Sequence, residues 1–177
     1  MKKLKLLSVL VLISIYFTAC SPSKEKYETK INELEKNLFS EKNTSINKTN
    51  AKELINAYIE FADKFPADSN SAKYLFNAAD ISMNILESDK AISIYNKIIN
   101  DYPNFKKVPE CLFLKGFVYE NNLQDLEKAK TIYMEFLEKY PGNDFADDAK
   151  ISIENLGKTP EQLILEFEKN TNNENKE

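Results

Sequence analysis

Residues 128–141, KAKTIYMEFLEKYP, decide the fold, because residues 90–103, KAISIYNKIINDYP, have nearly the same layout 38 positions earlier. In both segments apolar residues recur at helical spacing, and both segments end in a Tyr-Pro pair. Proline lacks a backbone N–H and cannot continue a helix, so the pair marks a helix end. The two segments are therefore predicted to be equivalent helices of one repeated unit.

A third helix is predicted to end in the same way, at Phe65-Pro66. The three prolines are 37 and 38 residues apart, and a tyrosine precedes each of them at the same distance. The recurring residues are Tyr58, Tyr95 and Tyr133, with Pro66, Pro103 and Pro141. Repeats of this length indicate helical pairs that stack on their neighbours.

The apolar pattern predicts helices along the chain and requires no β-strand, so we expect an all-α fold of about eight helices. Capping residues such as Asn50 and Ser88 indicate helix starts, while the prolines and Gly157 indicate helix ends. The predicted helices span about 26–39, 50–65, 72–86, 88–102, 109–121, 128–140, 145–156 and 159–167.

Two consecutive pairs place small residues on the first helix and large residues on the second. The first set is Leu75, Ala78, Ala79 and Ser82, then Ala91, Tyr95 and Pro103; the second is Leu112, Lys115, Gly116 and Tyr119, then Ala129, Tyr133 and Pro141. The pattern resembles the tetratricopeptide repeat family, which implies a right-handed superhelical stack of antiparallel helix pairs. The second set has one extra residue, which we place between its helices, in NNLQDLE (121–127).

The composition argues against catalysis and against binding of nucleotides or nucleic acid. The chain has no His, Arg or Trp, only three Gly, and a net charge of −4. Histidine is the usual proton carrier near neutral pH, arginine the usual bidentate phosphate ligand, and clustered glycines cradle phosphates. We therefore predict a protein that is not an enzyme and that needs no cofactor or metal.

The first twenty residues predict export and lipidation. Three lysines precede an apolar run of about 12 residues, Leu6 to Phe17, which is shorter than the roughly 20 residues of a membrane-spanning helix. The sequence FTAC at 17–20 resembles the bacterial lipobox, in which the cysteine, here Cys20, is acylated. An ordinary cleaved signal peptide followed by an incidental cysteine is the alternative.

The chain is thus predicted to contain a signal peptide (1–19), a lipidated cysteine with a tether (20–26), a helical domain (27–170) and a disordered polar tail (171–177). Loss of three lysines with the signal peptide leaves a charge of 21 − 28 = −7. The other cysteine, Cys111, lies in a helical pattern and is predicted to be a small buried residue, not a reactive thiol.

A lipobox followed by these repeats resembles the outer-membrane lipoproteins of the β-barrel assembly machinery, of the BamD type, and related periplasmic repeat proteins. The resemblance implies a scaffold that is anchored in the outer membrane, faces the periplasm and binds other envelope proteins, with outer-membrane protein assembly as one role. Two alternatives stay open: a surface-exposed lipoprotein that binds a ligand, and a protein that coordinates envelope processes or division.

The family resemblance also implies a binding groove, because the first helices of the pairs line a concave surface. The residues at these positions, called the predicted groove residues below, are Lys73, Phe76, Asp80, Met83, Asn84, Glu110, Phe113, Phe117, Glu120 and Asn121. Their aromatic and acidic side chains predict an apolar peptide or helix as partner. The alternative is that the chain's own first or last helix covers the aromatic residues.

Overall fold

The computed structural model describes residues 23–40 and 46–174, and this part of the chain forms eight α-helices and no β-strand. The helices are α1 (Lys24–Leu38), α2 (Lys48–Lys64), α3 (Ser71–Asn84), α4 (Ser88–Asp101), α5 (Val108–Phe117), α6 (Leu126–Lys139), α7 (Ala146–Asn155) and α8 (Pro160–Glu174). The all-α fold class is confirmed. Within the described residues, no helix is both long and apolar enough to cross a membrane.

The N-terminal predictions fall mostly outside the described residues. The signal peptide (1–19) and Cys20 lie there entirely. Helix α1 begins at Lys24, inside the segment predicted to be a tether, with Ser23 at the N-cap and Glu25 in the first turn. A negative charge in the first turn stabilises the helix dipole, so the polar sequence here is compatible with a helix start.

The helices pack in chain order as three antiparallel pairs, α1–α2, α3–α4 and α5–α6, followed by α7 and α8. Each pair also rests on the next, because α2 packs on α3, α4 on α5 and α6 on α7. The result is a solenoid-like stack, as the repeat predicts. Helices α2, α4 and α6 end directly before the aromatic-Pro pairs, and the aromatic residue closes the last helical turn. The closing N–H groups of Phe65, Tyr102 and Tyr140 donate to the carbonyl oxygens of Phe61, Ile98 and Phe136.

Each pair buries a tyrosine of its second helix against small residues. The side chains of Tyr58, Tyr95 and Tyr133 are at most 1% exposed. In the third pair, a Cβ atom at Gly116 would lie only 2.7 Å from Cε1 of Tyr133. The prediction that small residues let the second helix approach closely is therefore confirmed at this position.

We expect Gly116→Ala to destabilise the protein, although alanine is the better helix former. On an exposed helix surface the change would raise the free energy of unfolding by roughly 1 kcal/mol. Here the new methyl group would overlap the ring of Tyr133, which is fully buried and has no room to move away. Overpacking of a core costs about 1–3 kcal/mol, so we expect a net loss of about 1 kcal/mol in the free energy of unfolding.

Urea denaturation of Gly116→Ala and of a matched control tests this expectation. The control is Gly142→Ala, since a Cβ atom at Gly142 would meet nothing within 4 Å. The control should change the free energy of unfolding by less than about 0.5 kcal/mol. Equal midpoints for the two variants would show that the close approach of Tyr133 does not constrain residue 116.

The extra residue of the third pair lies in a π-helical turn that continues α5, and not in the loop before α6, so its predicted place between the helices is corrected. The loops 85–87 and 123–125 have the same length, and the middle residue of each, Leu86 or Gln124, has a positive φ, of 64° or 54°. Helix α5 instead widens into a π-helical turn, Val118–Asn122. A π turn holds one residue more than an α turn, and it therefore absorbs the insertion.

Two other helix boundaries differ from the prediction. Helix α2 begins at Lys48, because the side chain of Asn47, and not that of Asn50, accepts hydrogen bonds from the first free N–H groups. Helix α8 starts as predicted, but it continues to Glu174 instead of ending near residue 167, so residues 171–174 are helical. Its Asn and Thr residues are weak helix formers, yet each costs only about 0.5 kcal/mol in a helix.

Candidate partner-binding cleft

Two of the predicted groove residues, Phe76 and Phe113, are buried and form no exposed patch. Phe76 is 5% exposed and Phe113 is 8% exposed. The ring of Phe113 stacks on that of Phe145, with centroids 4.9 Å apart, and the ring of Phe76 lies 6.4 Å from that of Phe105. Two interpretations were open for these rings, exposure in a groove and coverage by another part of the chain, and the structure shows coverage at both positions.

The covering residues come from the loops after the Tyr-Pro pairs, and not from the first or last helix. Phe105 follows Pro103, and Phe145 follows Pro141, so both loops return an aromatic residue to the first-helix phenylalanine. The ammonium of Lys107 also lies 4.0 Å from the ring centroid of Phe76. An aromatic residue in the loops after Pro103 and after Pro141 was a sequence signal for this burial, and the groove prediction missed it.

The other predicted groove residues are exposed or half-buried. Phe117 is 38% exposed. The exposed members are Lys73, Asn84, Phe117 and Asn121, and the half-buried members are Asp80, Met83, Glu110 and Glu120. Asn84 and Asn121 both donate a side-chain N–H to the backbone carbonyl four residues earlier, so the second and third pairs are alike here.

Each buried tyrosine donates its hydroxyl to a carboxylate on the first helix of its own pair or on the π turn that continues it. The bonds join Tyr58 to Glu35 at 2.6 Å, Tyr95 to Asp80 at 3.0 Å, and Tyr133 to Glu120 at 2.7 Å. The first pair, α1–α2, thus repeats the internal contact of the other two. Burial raises the pKa of all three tyrosines above its usual value, and the adjacent carboxylate raises it further.

Two of these carboxylates, Glu35 and Asp80, open into one cleft of about 460 Å³ between α1, α2 and α3. We call it the acidic cleft; its lining residues are Glu35, Leu38, Phe39, Ile46, Tyr58, Asn77, Asp80, Ile81 and Asn84. Of the predicted groove residues it contains Asp80 and Asn84. The sequence analysis missed the contribution of α1, because the groove was predicted from the second and third pairs alone.

The acidic cleft has apolar walls and two carboxylates, and none of the described residues that line it is a lysine. Burial raises the pKa of Asp80, and the Tyr95 hydroxyl opposes this by stabilising the charged form. Lys107 also favours the charged form of Asp80, and Glu110 disfavours it. The site is thus built to accept hydrogen bonds and positive charge.

We expect wild-type protein to gain stability relative to Asp80→Asn as the pH falls from neutral towards the acid range. The folded state binds the Asp80 proton more tightly than the unfolded state, because burial raises the carboxyl pKa in the fold. Stability therefore falls as the pH rises from the unfolded pKa through the folded one, and it returns as the pH falls. The asparagine variant lacks this titration but keeps an oxygen acceptor for Tyr95.

Urea denaturation at neutral pH and near pH 4 measures this difference. The control is Asp147→Asn, since the side chain of Asp147 is 86% exposed. The difference in free energy of unfolding between this variant and wild type should change much less between the two pH values. A stability difference between wild type and Asp80→Asn that is the same at both pH values would contradict the expectation.

Cys111 is fully buried, as predicted for a small apolar residue. Burial, with Glu110 and Asp80 nearby, raises the pKa of its thiol to about 12. The thiolate is the reactive form of cysteine, so this thiol is unreactive near neutral pH.

A sequence model of the tetratricopeptide repeat matches the chain twice, over residues 73–104 and 110–143. These segments coincide with α3–α4 and with α5–α6. The described residues therefore form an all-α repeat fold, and its second and third helical pairs are similar to the tetratricopeptide repeat. No curated protein matches the chain.

Proposed function

We propose that this chain is a lipid-anchored scaffold of the bacterial cell envelope that binds another protein and performs no catalysis. The two matched repeats support protein binding. The FTAC sequence at residues 17–20 supports acylation of Cys20. Two or more acyl chains hold a protein stably on a membrane, because each buried CH₂ contributes about 0.8 kcal/mol.

The observation that carries the proposal is the position of the acidic cleft relative to the anchor. Cys20 lies only a few residues before α1, and Lys24 at the start of α1 forms an ion pair of 2.6 Å with Asp68 in the α2–α3 loop. The cleft lies at the other end of α1, roughly 20 Å away at 1.5 Å per residue. A membrane attached through Cys20 would leave the cleft accessible from the aqueous side.

We propose the periplasmic face of the outer membrane as the location, on the resemblance to lipoproteins of the β-barrel assembly machinery. Partners would be other envelope proteins, with components of that machinery as one candidate. Mild crosslinking in cells, followed by affinity purification, separates the roles. Barrel-assembly components in the eluate would support assembly, whereas peptidoglycan-associated or division proteins would support envelope coordination.

Labelling of cells with radioactive palmitate tests the anchor. Wild-type protein should incorporate the label and stay with the membrane fraction, and Cys20→Ala should lose the label and appear in the soluble fraction. Cys111→Ser is the matched control and should keep the label. Absence of label from wild-type protein would remove the anchor from the proposal.

Protease treatment of intact cells tests which side of the outer membrane the protein faces. A periplasmic protein should survive until the outer membrane is permeabilised. Digestion without permeabilisation would favour the surface-exposed alternative, in which the chain binds an external ligand.

A further inference from the structure

We propose that the acidic cleft is the docking site for a protein segment that carries a lysine or arginine between apolar side chains. This deepens the proposed scaffold function and rests on it, because it names the chemistry of the partner. The argument has three parts: the apolar walls of the cleft, two carboxylates that form no ion pair with another described residue, and the rigid placement of these carboxylates.

The apolar part of the cleft includes large side chains that face water. Phe39 is 61% exposed and Ile46 is 48% exposed, and both line the cleft together with the buried Leu38 and Ile81. Grouped apolar side chains that are open to solvent are typical of binding surfaces, because covering them releases hydrating water. The apolar neighbours of the docked basic residue would contact Phe39 and Ile46.

The charged part of the cleft is negative, and no lysine is among the described residues that line it. Among the described residues, neither Glu35 nor Asp80 forms an ion pair, while other acids of the same helices do, such as Glu28 with Lys24 at 3.3 Å. In each of the two carboxylates one oxygen accepts the tyrosine hydroxyl. The other oxygen accepts no hydrogen bond from another described residue, so an ammonium or guanidinium group could form charge-assisted hydrogen bonds with it.

The tyrosines hold this charge in place before any partner arrives. Tyr58 and Tyr95 are buried in the core, at 1% and 0% exposure, so their hydroxyl groups are fixed. The carboxylates that accept from them lose little conformational freedom when they bind a cation. The side chain of Asn77, which interacts with the Tyr58 hydroxyl, lines the same cleft.

Other occupants fit this chemistry less well. An acidic segment would be repelled by Glu35 and Asp80. A wholly apolar segment would cover both carboxylates without pairing them, and burial of unpaired charge is costly. A second copy of this acidic chain would also be repelled, because its charge is 21 − 28 = −7 after loss of the signal peptide.

Binding of synthetic peptides to the full-length lipoprotein in detergent micelles tests the proposal. Two fluorescent peptides have the same apolar residues; one has lysines between them and the other has glutamates at the same positions. The cleft variant is Glu35→Gln with Asp80→Asn. The charge-matched control is Asp147→Asn with Asp148→Asn, on the exposed start of α7. Fluorescence anisotropy gives the dissociation constant of each combination.

We expect the lysine peptide to bind wild-type protein and the control, and the glutamate peptide to bind neither. The cleft variant should weaken binding of the lysine peptide by about tenfold. The control should weaken it by less than about twofold, because ion pairs at exposed sites contribute little. Equal weakening by both variants would mean general attraction to an acidic protein and would overturn the proposal. No weakening in the cleft variant would overturn it as well.

A second variant guards against loss of folding in the cleft variant. Phe39→Ser changes an exposed side chain, so it should keep the thermal midpoint of wild type while it weakens the lysine peptide severalfold. Unchanged binding by folded Phe39→Ser would overturn the apolar part of the proposal. The palmitate experiment is independent, so failure of the anchor and failure of the docking site give different results.

Discussion

Phe113→Ala should lower the free energy of unfolding by about 3–5 kcal/mol, the usual cost of truncating a buried phenylalanine. The Phe113 ring contacts three other rings, with centroids 5.5 Å from Tyr133, 5.8 Å from Phe136 and 4.9 Å from Phe145. The truncation would leave a cavity where α5, α6 and the start of α7 meet. Equilibrium denaturation in urea measures the loss, which is a large part of the stability of a typical domain.

Phe117→Ala is the matched control, one helical turn away on the same helix. Its side chain is 38% exposed, so the change should cost less than about 1 kcal/mol. A large loss at both positions would place Phe117 in the core as well. A small loss at both would mean that the solution structure leaves Phe113 uncovered, and the exposed aromatic patch would then return as a binding surface.

Alkaline pH should unfold the protein steeply once the pH exceeds 10, the ordinary pKa of tyrosine. Burial raises the pKa of Tyr58, Tyr95 and Tyr133 in the fold, so above pH 10 the unfolded chain loses protons that the folded chain keeps. The stability that these residues contribute is complete below the unfolded pKa and is lost as the pH rises. Each tyrosine lowers the free energy of unfolding by about 1.4 kcal/mol per pH unit, and the three together lower it by about 4 kcal/mol per unit.

Denaturation by urea at a series of pH values between about 9 and 11 measures this slope. Tyr95→Phe tests its origin, since phenylalanine cannot titrate and should reduce the slope by about 1.4 kcal/mol per pH unit. At neutral pH the same variant should lose roughly 1 kcal/mol with the hydrogen bond to Asp80. An unchanged alkaline slope in Tyr95→Phe would show that this hydroxyl is not protected in the fold.

The helices and their repetition could be predicted from the sequence, because the forces that set them act over a few residues. A proline ends a helix through its own ring and missing N–H, and an apolar stripe needs only helical spacing. The recurrence of Tyr58, Tyr95 and Tyr133 therefore located three equivalent helices before any contact was known. The first pair was recognisable only in its second half, although its Tyr58–Glu35 bond matches the other two pairs.

The composition of the binding surface could not be predicted, because it depends on residues far apart in the chain. Phe113 resembles an exposed groove residue by position, and only the return of the chain to Phe145 buries it. Glu35 joins the acidic cleft through its bond to Tyr58, 23 residues later. Such contacts follow from the angles at which whole helices pack, and local spacing does not specify those angles.

The sequence alone thus determined the fold class, the helix ends at the three aromatic-Pro pairs and the repeating tyrosines, since each rests on local backbone chemistry and apolar spacing. The tertiary structure alone decided which aromatic residues are covered, how α5 absorbs its extra residue, and which carboxylates share the cleft. The π turn Val118–Asn122 illustrates the difference. An inserted residue can lengthen a loop or widen a helix, and packing decides between the two. Here the Tyr133 hydroxyl donates a hydrogen bond to Glu120, and the side-chain N–H of Asn122 donates one to the Met83 carbonyl.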